Sequence, residues 1–443
     1  MTELAAQIDA ALPAASAALH RLIRIPSVSS QPEHQADVEA TAELISALLR
    51  DVGCPEVSLL RAGGHPAVFG YYPAPAGQPT VLLYAHYDVQ PPGTAAAWDS
   101  DPFEPRETDG RLYARGSADD KAGVALHLAV LRALGPQPPI GIKLLFEGEE
   151  EIGSPTMAAL LDQHRDELDA DIFVIADAIN ADVGMPSLTT TLRGNITAEV
   201  TVSTAKQGLH SGQFGGPTPD ALTALVRLLA TLHDDNGDVA IAGLVSDPQP
   251  ASDYPADRLY EETGLLPGVE WIGTGSLAER MWVKPSASVI ALDTTRIADA
   301  SNTLIPSASA KLSIRIAPSD DPARAQAALR EHLLRHAPWG VQVEVAEDSQ
   351  AAGLVLTPSP KLSEVVDAAF VDGFGCPAAR VGIGGSIALG AGLAERYPDA
   401  EILLTAVADP TSYIHSHNES LELADLRRAA IAELSLLRRL ASD

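Results

Sequence analysis

The chain has 443 residues, too many for one ordinary hydrophobic core, so two domains, or one domain carrying a large insertion, is the starting expectation. Acidic side chains outnumber basic ones by 59 to 30, and a formal net charge of −29 argues against nucleic acid and against anionic membrane surfaces as partners. No apolar run approaches the roughly eighteen residues of a membrane span. The two cysteines, Cys54 and Cys376, are too few for a disulfide framework or a thiolate metal site.

Helical patterning begins at once, over residues 3–24 and 34–51. Glu3 and Asp9 stand where a signal peptide needs basic residues, so the first segment reads as an amphipathic helix and the protein as cytoplasmic. Short strand-like runs follow at 57–60 and 67–71. At 81–86, VLLYAH, an apolar strand stops at His86 with Asp88 two positions on. A strand apolar at every position belongs in a mostly parallel sheet, buried on both faces, and such sheets bind ligands beyond the carboxyl ends of their strands. Asp88 is placed to orient the His86 ring.

A loop rich in Pro and Asp (90–105) leads to ARGSADDKAG and an apolar helix over 121–134. Asp119 and Asp120 fall at its amino terminus, where an aspartate serves as a cap as readily as a ligand. Residues 140–146 form another buried strand, which ends in Glu147-Gly148-Glu149-Glu150-Glu151; residues 171–176 form a third, followed by Asp177. Residues 401–407 give a fourth, with His415, His417 and Glu419 in the loop beyond. Four apolar strands ending in histidine or carboxylate suggest converging ligands, and such a donor set suits zinc, or a pair of metals sharing one carboxylate.

Between 190 and 348 continuous apolar runs give way to alternation, as in Ile196, Ala198, Val200 and Val202. Helical stretches at 219–233 and 321–337 and a strand at 287–294 complete a β-α-β-β-α-β order, which predicts an inserted ferredoxin-like domain. Residues 235–285 fit no element of that pattern. The expected fold class is therefore α/β, with a mostly parallel-sheet domain (1–189 and 349–443) and an inserted second domain (190–348). After a helix at 361–372, the glycines of VGIGGSIALG (381–390) lack the Gly-Lys-Ser/Thr of a nucleotide P-loop, and a helix over 421–440 closes the chain.

With AHYDVQPPG, ARGSADDKAG, EGEEEIGS, IADA, GLHSG and IHSHNE in this order, the sequence resembles the co-catalytic di-zinc metallopeptidases that include carnosinase-type dipeptidases, carboxypeptidase G and aminoacylases. The carnosinase-type cytosolic dipeptidases resemble it most, through YAHYDVQP, WDSDPF, RGSADDK and GLHSGQFGG. The resemblance implies two zinc ions per subunit, with manganese or cobalt as substitutes. His86 and Asp177 would hold one, Glu151 and His415 the other, and Asp119 would bridge them. Asp88 would orient His86, and Glu150 would be the general base. Asp120 would follow the bridging aspartate across a strained peptide bond. The resemblance makes 1–189 and 349–443 the catalytic domain and the insert a lid or dimerisation domain, in which His210 would act across the interface of a homodimer and Asn302, Thr303 and Arg315 would touch substrate, with Arg315 on its terminal carboxylate, while Gly385 and Ser386 would contact the same end. The implied activity is hydrolysis of dipeptides or short peptides. An N-acyl amino acid deacylase shares the metals and is the alternative; a non-catalytic module would lack the base or a ligand.

Overall fold

The structure, a computed structural model, describes residues 3–250, 253–385 and 388–441. Two compact units share the chain: Met1–Thr190 with Leu356–Val381 and Ala388–Asp443 form one, and Thr191–Val355 with Gly382–Ile387 form the other.

In the first unit the spatial order of strands is Glu56–Leu60, Ala67–Tyr72, Gly141–Glu147, Thr80–His86, Ile172–Ile179, Glu401–Ala408 and Ser187–Leu192. The four in the middle are parallel, and every residue of Gly141–Glu147 is buried, as strands covered on both faces are. The flanks are antiparallel. On the amino-terminal side the reason is the short link between Glu56–Leu60 and Ala67–Tyr72, which leaves no room for a crossover.

Alternate side chains of the central strands serve opposite faces. Val81, Leu83, Ala85, Ile172 and Val174 join one core with residues of the helices Glu3–Ile23, Lys121–Leu134 and Leu423–Leu440. Phe173 lies on the other face and packs on Tyr397, with ring centroids 5.2 Å apart. The helix Lys121–Leu134 starts where the Asp120 carboxylate accepts from Gly123 N–H at 3.1 Å, and it stops at Gly135, whose φ of +76° suits glycine.

The second unit holds four antiparallel strands in the order Ser286–Asp293, Ser307–Ile316, Gly194–Ser203 and Gln342–Ala351. Along Ser307–Ile316 buried positions alternate with more exposed ones, and the inward residues pack on the helices Ala221–Ala230 and Pro322–Arg335. Chain order and spatial order together make this the ferredoxin-like sandwich. Residues 235–285, which matched no element in the sequence, carry the helix Ala256–Thr263 and a turn of π-helix at Glu279–Val283. Aromatic pairs anchor them: Tyr260 on Trp271 at 4.9 Å and Tyr254 on Trp282 at 6.0 Å between centroids. Among the described residues no helix is long and apolar enough to cross a membrane.

Candidate metal centre

Parallel register brings the chemistry to one sheet edge. His86 ends its strand directly opposite Glu147, and Tyr84 pairs with Ile175, which leaves Asp177 level with His86. The sequence places Asp177 just past a strand end, whereas the strand runs on to Ile179. Ile175 pairs with Leu404 and Ala178 with Ala406, so Ala176 and Asp177 stand opposite the single residue Thr405. That extra residue is a bulge, a device that re-aims a side chain without ending the strand.

The His86 ring is fully buried, and its Nδ1 faces the main-chain oxygen of Asp88 at 3.0 Å and the Asp88 carboxylate at 3.4 Å. Nε2 is thereby aimed at Asp119 Oδ1, 2.9 Å away, and at Asp177 Oδ1, 3.8 Å away. The other oxygen of Asp119 lies 3.0 Å from His415 Nε2, which is also 3.0 Å from Glu151 Oε2. Two three-residue groups emerge, His86 with Glu150 and Asp177, and His86 with Asp119 and Glu151, each with its donor atoms within 4.8 Å of one another.

Neighbouring candidates have other occupations. The Asp88 carboxylate accepts the backbone N–H groups of Glu150 at 3.2 Å and Glu151 at 3.1 Å, so it holds the turn that bears both glutamates as well as the histidine. Glu149 is turned away and tied to His65 N–H at 2.7 Å and the Thr156 hydroxyl at 2.5 Å. His417 packs edge-on against Trp98, with centroids 6.3 Å apart. Asp120 caps its helix and accepts His86 N–H at 3.2 Å, across a cis peptide bond from Asp119.

Burial dominates the electrostatics. It pushes the carboxyl groups of Asp120 and Asp177 well above the usual carboxylate range, and raises Glu150 to about 7, with His86 opposing and Glu151, Asp119 and Asp88 reinforcing. Burial works the same way on Asp119, but hydrogen bonds from His415 and His86 overcome it and hold that carboxyl low. Hydrogen bonds to Asp119 and Glu151 lift His415 to about 10, and His86 is lifted by Asp119 and Asp88 against the desolvation of its ring. Protons here compensate crowded negative charge, which is what divalent cations do more effectively. The nitrogen and oxygen donors, with one carboxylate split between two histidines, fit a pair of such cations, and zinc, manganese or cobalt all accept donors of this kind.

Two residues that the sequence placed at or beyond strand ends without assigning them a role belong to this cluster. Glu147 is buried and accepts from the Tyr84 hydroxyl at 2.6 Å, and burial pushes it to about 8. Glu419 is buried against Arg115 at 2.7 Å. The one available signal for the latter was its position in IHSHNE beyond an apolar strand.

The remaining candidates lie in the second unit and are described within it. His210 is exposed, pairs with Thr303 in a short ladder, and accepts Gly212 N–H at Nδ1 (3.1 Å), which leaves Nε2 to carry the proton. The Asn302 carbonyl accepts from Ser211 N–H at 2.9 Å and the Ser211 hydroxyl at 2.8 Å, so His210, Asn302 and Thr303 are brought together. Arg315, half-buried, pairs in the sheet with Asn195 and Ser286. Beside it stands Arg193, missed in the sequence: its Nη1 donates to Arg280 O, Lys284 O and Ser286 Oγ at 3.2 Å each, while burial, then the Arg315 charge, lowers it to about 10. Among the described residues no carboxylate pairs with either guanidinium. A methyl on Gly384 would sit 2.8 Å from Arg193 Nη2, which places the loop carrying Gly385 alongside; Ser386 lies outside the described residues.

Metal binding must displace protons. Hydrogen bonds to Asp119 and Glu151 raise His415 to about 10, and those to Asp119 and Asp88 raise His86 against the desolvation of its ring, so a cation takes these nitrogens only as protons leave. Zinc titration of the metal-free protein in buffers of differing ionisation enthalpy is expected to show net proton release at pH 7 and an apparent affinity that climbs from pH 6 to 9. Proton uptake, or affinity flat across that range, would contradict the site.

Residues 82–439 match the family described as Peptidase family M20/M25/M40. A cysteinylglycine-S-conjugate dipeptidase of Corynebacterium striatum is 33% identical over 426 residues, covering 95% of this chain and 94% of that protein. The solved structure of the dipeptidase Dug1p from Saccharomyces cerevisiae superposes with a TM-score of 0.82 at 22% identity, covering 99% of this chain and 98% of the other. Human carnosine dipeptidase 1 gives 0.81 at 21%, covering 100% and 98%. Motif order, the family match over 82–439 and the similarity over 95% of the chain converge on one conclusion: the chain belongs to peptidase family M20/M25/M40 and is a peptide hydrolase.

Proposed function

We propose that the protein is a dipeptidase dependent on two zinc ions, manganese or cobalt being able to substitute. His86 and Asp177 would hold one ion and Glu151 and His415 the other, with Asp119 shared between them. The observation that carries this is the Asp119 carboxylate, whose two oxygens face two different histidines at 2.9 and 3.0 Å. The C. striatum relative, a dipeptidase by name, supports dipeptides as the substrates.

Bound cations of this kind polarise a carbonyl and make water available as a nucleophile near neutral pH. The chain does the rest. Glu150, partly buried and raised towards neutrality, accepts the proton that water loses as its oxygen joins the scissile carbonyl carbon. As the C–N bond breaks, Glu150 returns that proton to the departing amine. Asp88 fixes the His86 ring and the backbone beneath Glu150 and Glu151, so base and ligands keep their spacing.

In the second unit, Arg315 is assigned to the substrate's terminal carboxylate, for which a guanidinium with no acidic partner among the described residues is suited, with Asn302, Thr303, Gly385 and Ser386 completing the contact. His210, exposed with a proton on Nε2, is assigned to the neighbouring subunit's reaction as a donor to the developing oxyanion, which makes the working unit a homodimer. Both cysteines are free thiols, which supports a cytoplasmic location.

Glu150→Gln is expected to bind zinc normally and lose at least about a hundredfold in kcat, the scale of a general base; near-parental turnover would remove Glu150 from that role. Against a panel of dipeptides, Cys-Gly and its S-conjugates included, and N-acyl amino acids, turnover is expected on the dipeptides; exclusive cleavage of the acyl compounds would mark a deacylase. Mixing inactive His210→Ala with inactive Glu150→Gln should restore activity through hybrid dimers, and a fully active monomer by light scattering would defeat the shared site.

A further inference from the structure

Glu419 holds no position in the metal-ligand set, yet it is fully buried and its carboxylate takes four donors. Oε1 accepts Ala118 N–H at 2.9 Å and Asp119 N–H at 3.1 Å; Oε2 accepts Gly116 N–H at 3.0 Å and Arg115 Nη1 at 2.7 Å. Every donor belongs to the segment that ends in Asp119, 300 residues away in sequence. Arg115 then returns the contact, since its Nη2 donates to Ser416 O at 3.2 Å, one residue past His415.

The loop so clasped is not one its sequence would choose. Tyr413, His415 and Asn418 have φ of +50°, +59° and +59°, a left-handed region that side-chain-bearing residues seldom enter and that persists only when surroundings impose it. Asn418 is fixed further by Asp99 N–H, which its side-chain oxygen accepts at 2.9 Å. With its φ in that region, His415 stands 3.0 Å from both Asp119 and Glu151.

We propose that Glu419 is a positioning residue that sets the spacing between Asp119 and His415, and so governs how tightly the second cation, the one between Glu151 and His415, is held. The inference rests on the two-cation reading above. The chemistry of the clasp makes it specific. A carboxylate presents two acceptor oxygens to four donors, whereas a carboxamide keeps one and turns an NH₂ against N–H groups, so Glu419→Gln must release either the Ala118–Asp119 amides or the Gly116–Arg115 pair.

Metal-free parent and E419Q are titrated with Zn²⁺ by calorimetry against a competing chelator, and the thermal midpoint of each metal-free protein is recorded alongside. The expected result is that the ratio of second-site to first-site zinc affinity falls by about 10–100-fold, the usual loss when a partner of a metal ligand is changed. A purely structural Glu419 would lower the metal-free midpoint and leave that ratio unchanged, which would overturn the proposal. Should E419Q not fold, E419D keeps the charge opposite Arg115 while withdrawing the carboxylate by one methylene; the same fall in the ratio supports the proposal and a parental ratio overturns it. A parent protein that binds no zinc, or one ion only, overturns the two-cation reading and this inference with it, whereas two ions bound equally by parent and variant overturns this inference alone.

Discussion

The carboxylate of Asp119 is the point at which the constraints on the first unit meet. Its oxygens face His86 and His415 from opposite sides, and it is buried among Asp177, Glu150 and Glu151, groups that in water would repel one another and stay apart. Desolvation makes that arrangement costly, and it is relieved by protons on the carboxyls and on the two rings or by divalent cations. The rest of the unit serves to hold those groups where they would not go by themselves.

Two different devices achieve this. The sheet supplies rigid placement: His86 and Glu147 sit at matching positions of adjacent parallel strands, and the bulge at Ala176–Asp177 turns a third side chain to the same side. Loops are pinned instead by buried polar contacts. Asp88 accepts the amides under Glu150 and Glu151, Asp120 accepts His86 N–H while capping the next helix, and Glu419 accepts the amides leading into Asp119. These carboxylates are not spare acid; each satisfies backbone donors that burial would otherwise strand.

The two units read differently in sequence because they are buried differently. Continuous apolar runs such as Val81–Ala85 mark strands covered on both faces, and alternation such as that of Leu312, Ile314 and Ile316 marks a sheet with one wet face, so the α/β and ferredoxin-like classes were both legible. The segment 235–285 was opaque because its order comes from aromatic pairs such as Tyr260 with Trp271 rather than from a repeating period. Arg193 was invisible for a related reason, since its partners are main-chain oxygens and a hydroxyl, which leave no trace in side-chain patterning.

Much of the inventory of candidate donors was also written in the chain, because apolar strands that stop at histidine or carboxylate bring such groups to one sheet edge. Composition and period could go no further than inventory. Among Glu149, Glu150 and Glu151, and between His415 and His417, residue chemistry is the same, and resemblance to a family made the choice. The folded chain is what turns Glu149 to His65 and Thr156, seats His417 on Trp98, and lays Glu419 under the Asp119 loop. By itself the sequence determined which residues are available and which strands deliver them, since both follow from local pattern. Which oxygen faces which nitrogen was decided only by tertiary structure, because it depends on register, on one bulge and on hydrogen bonds between segments some 300 residues apart.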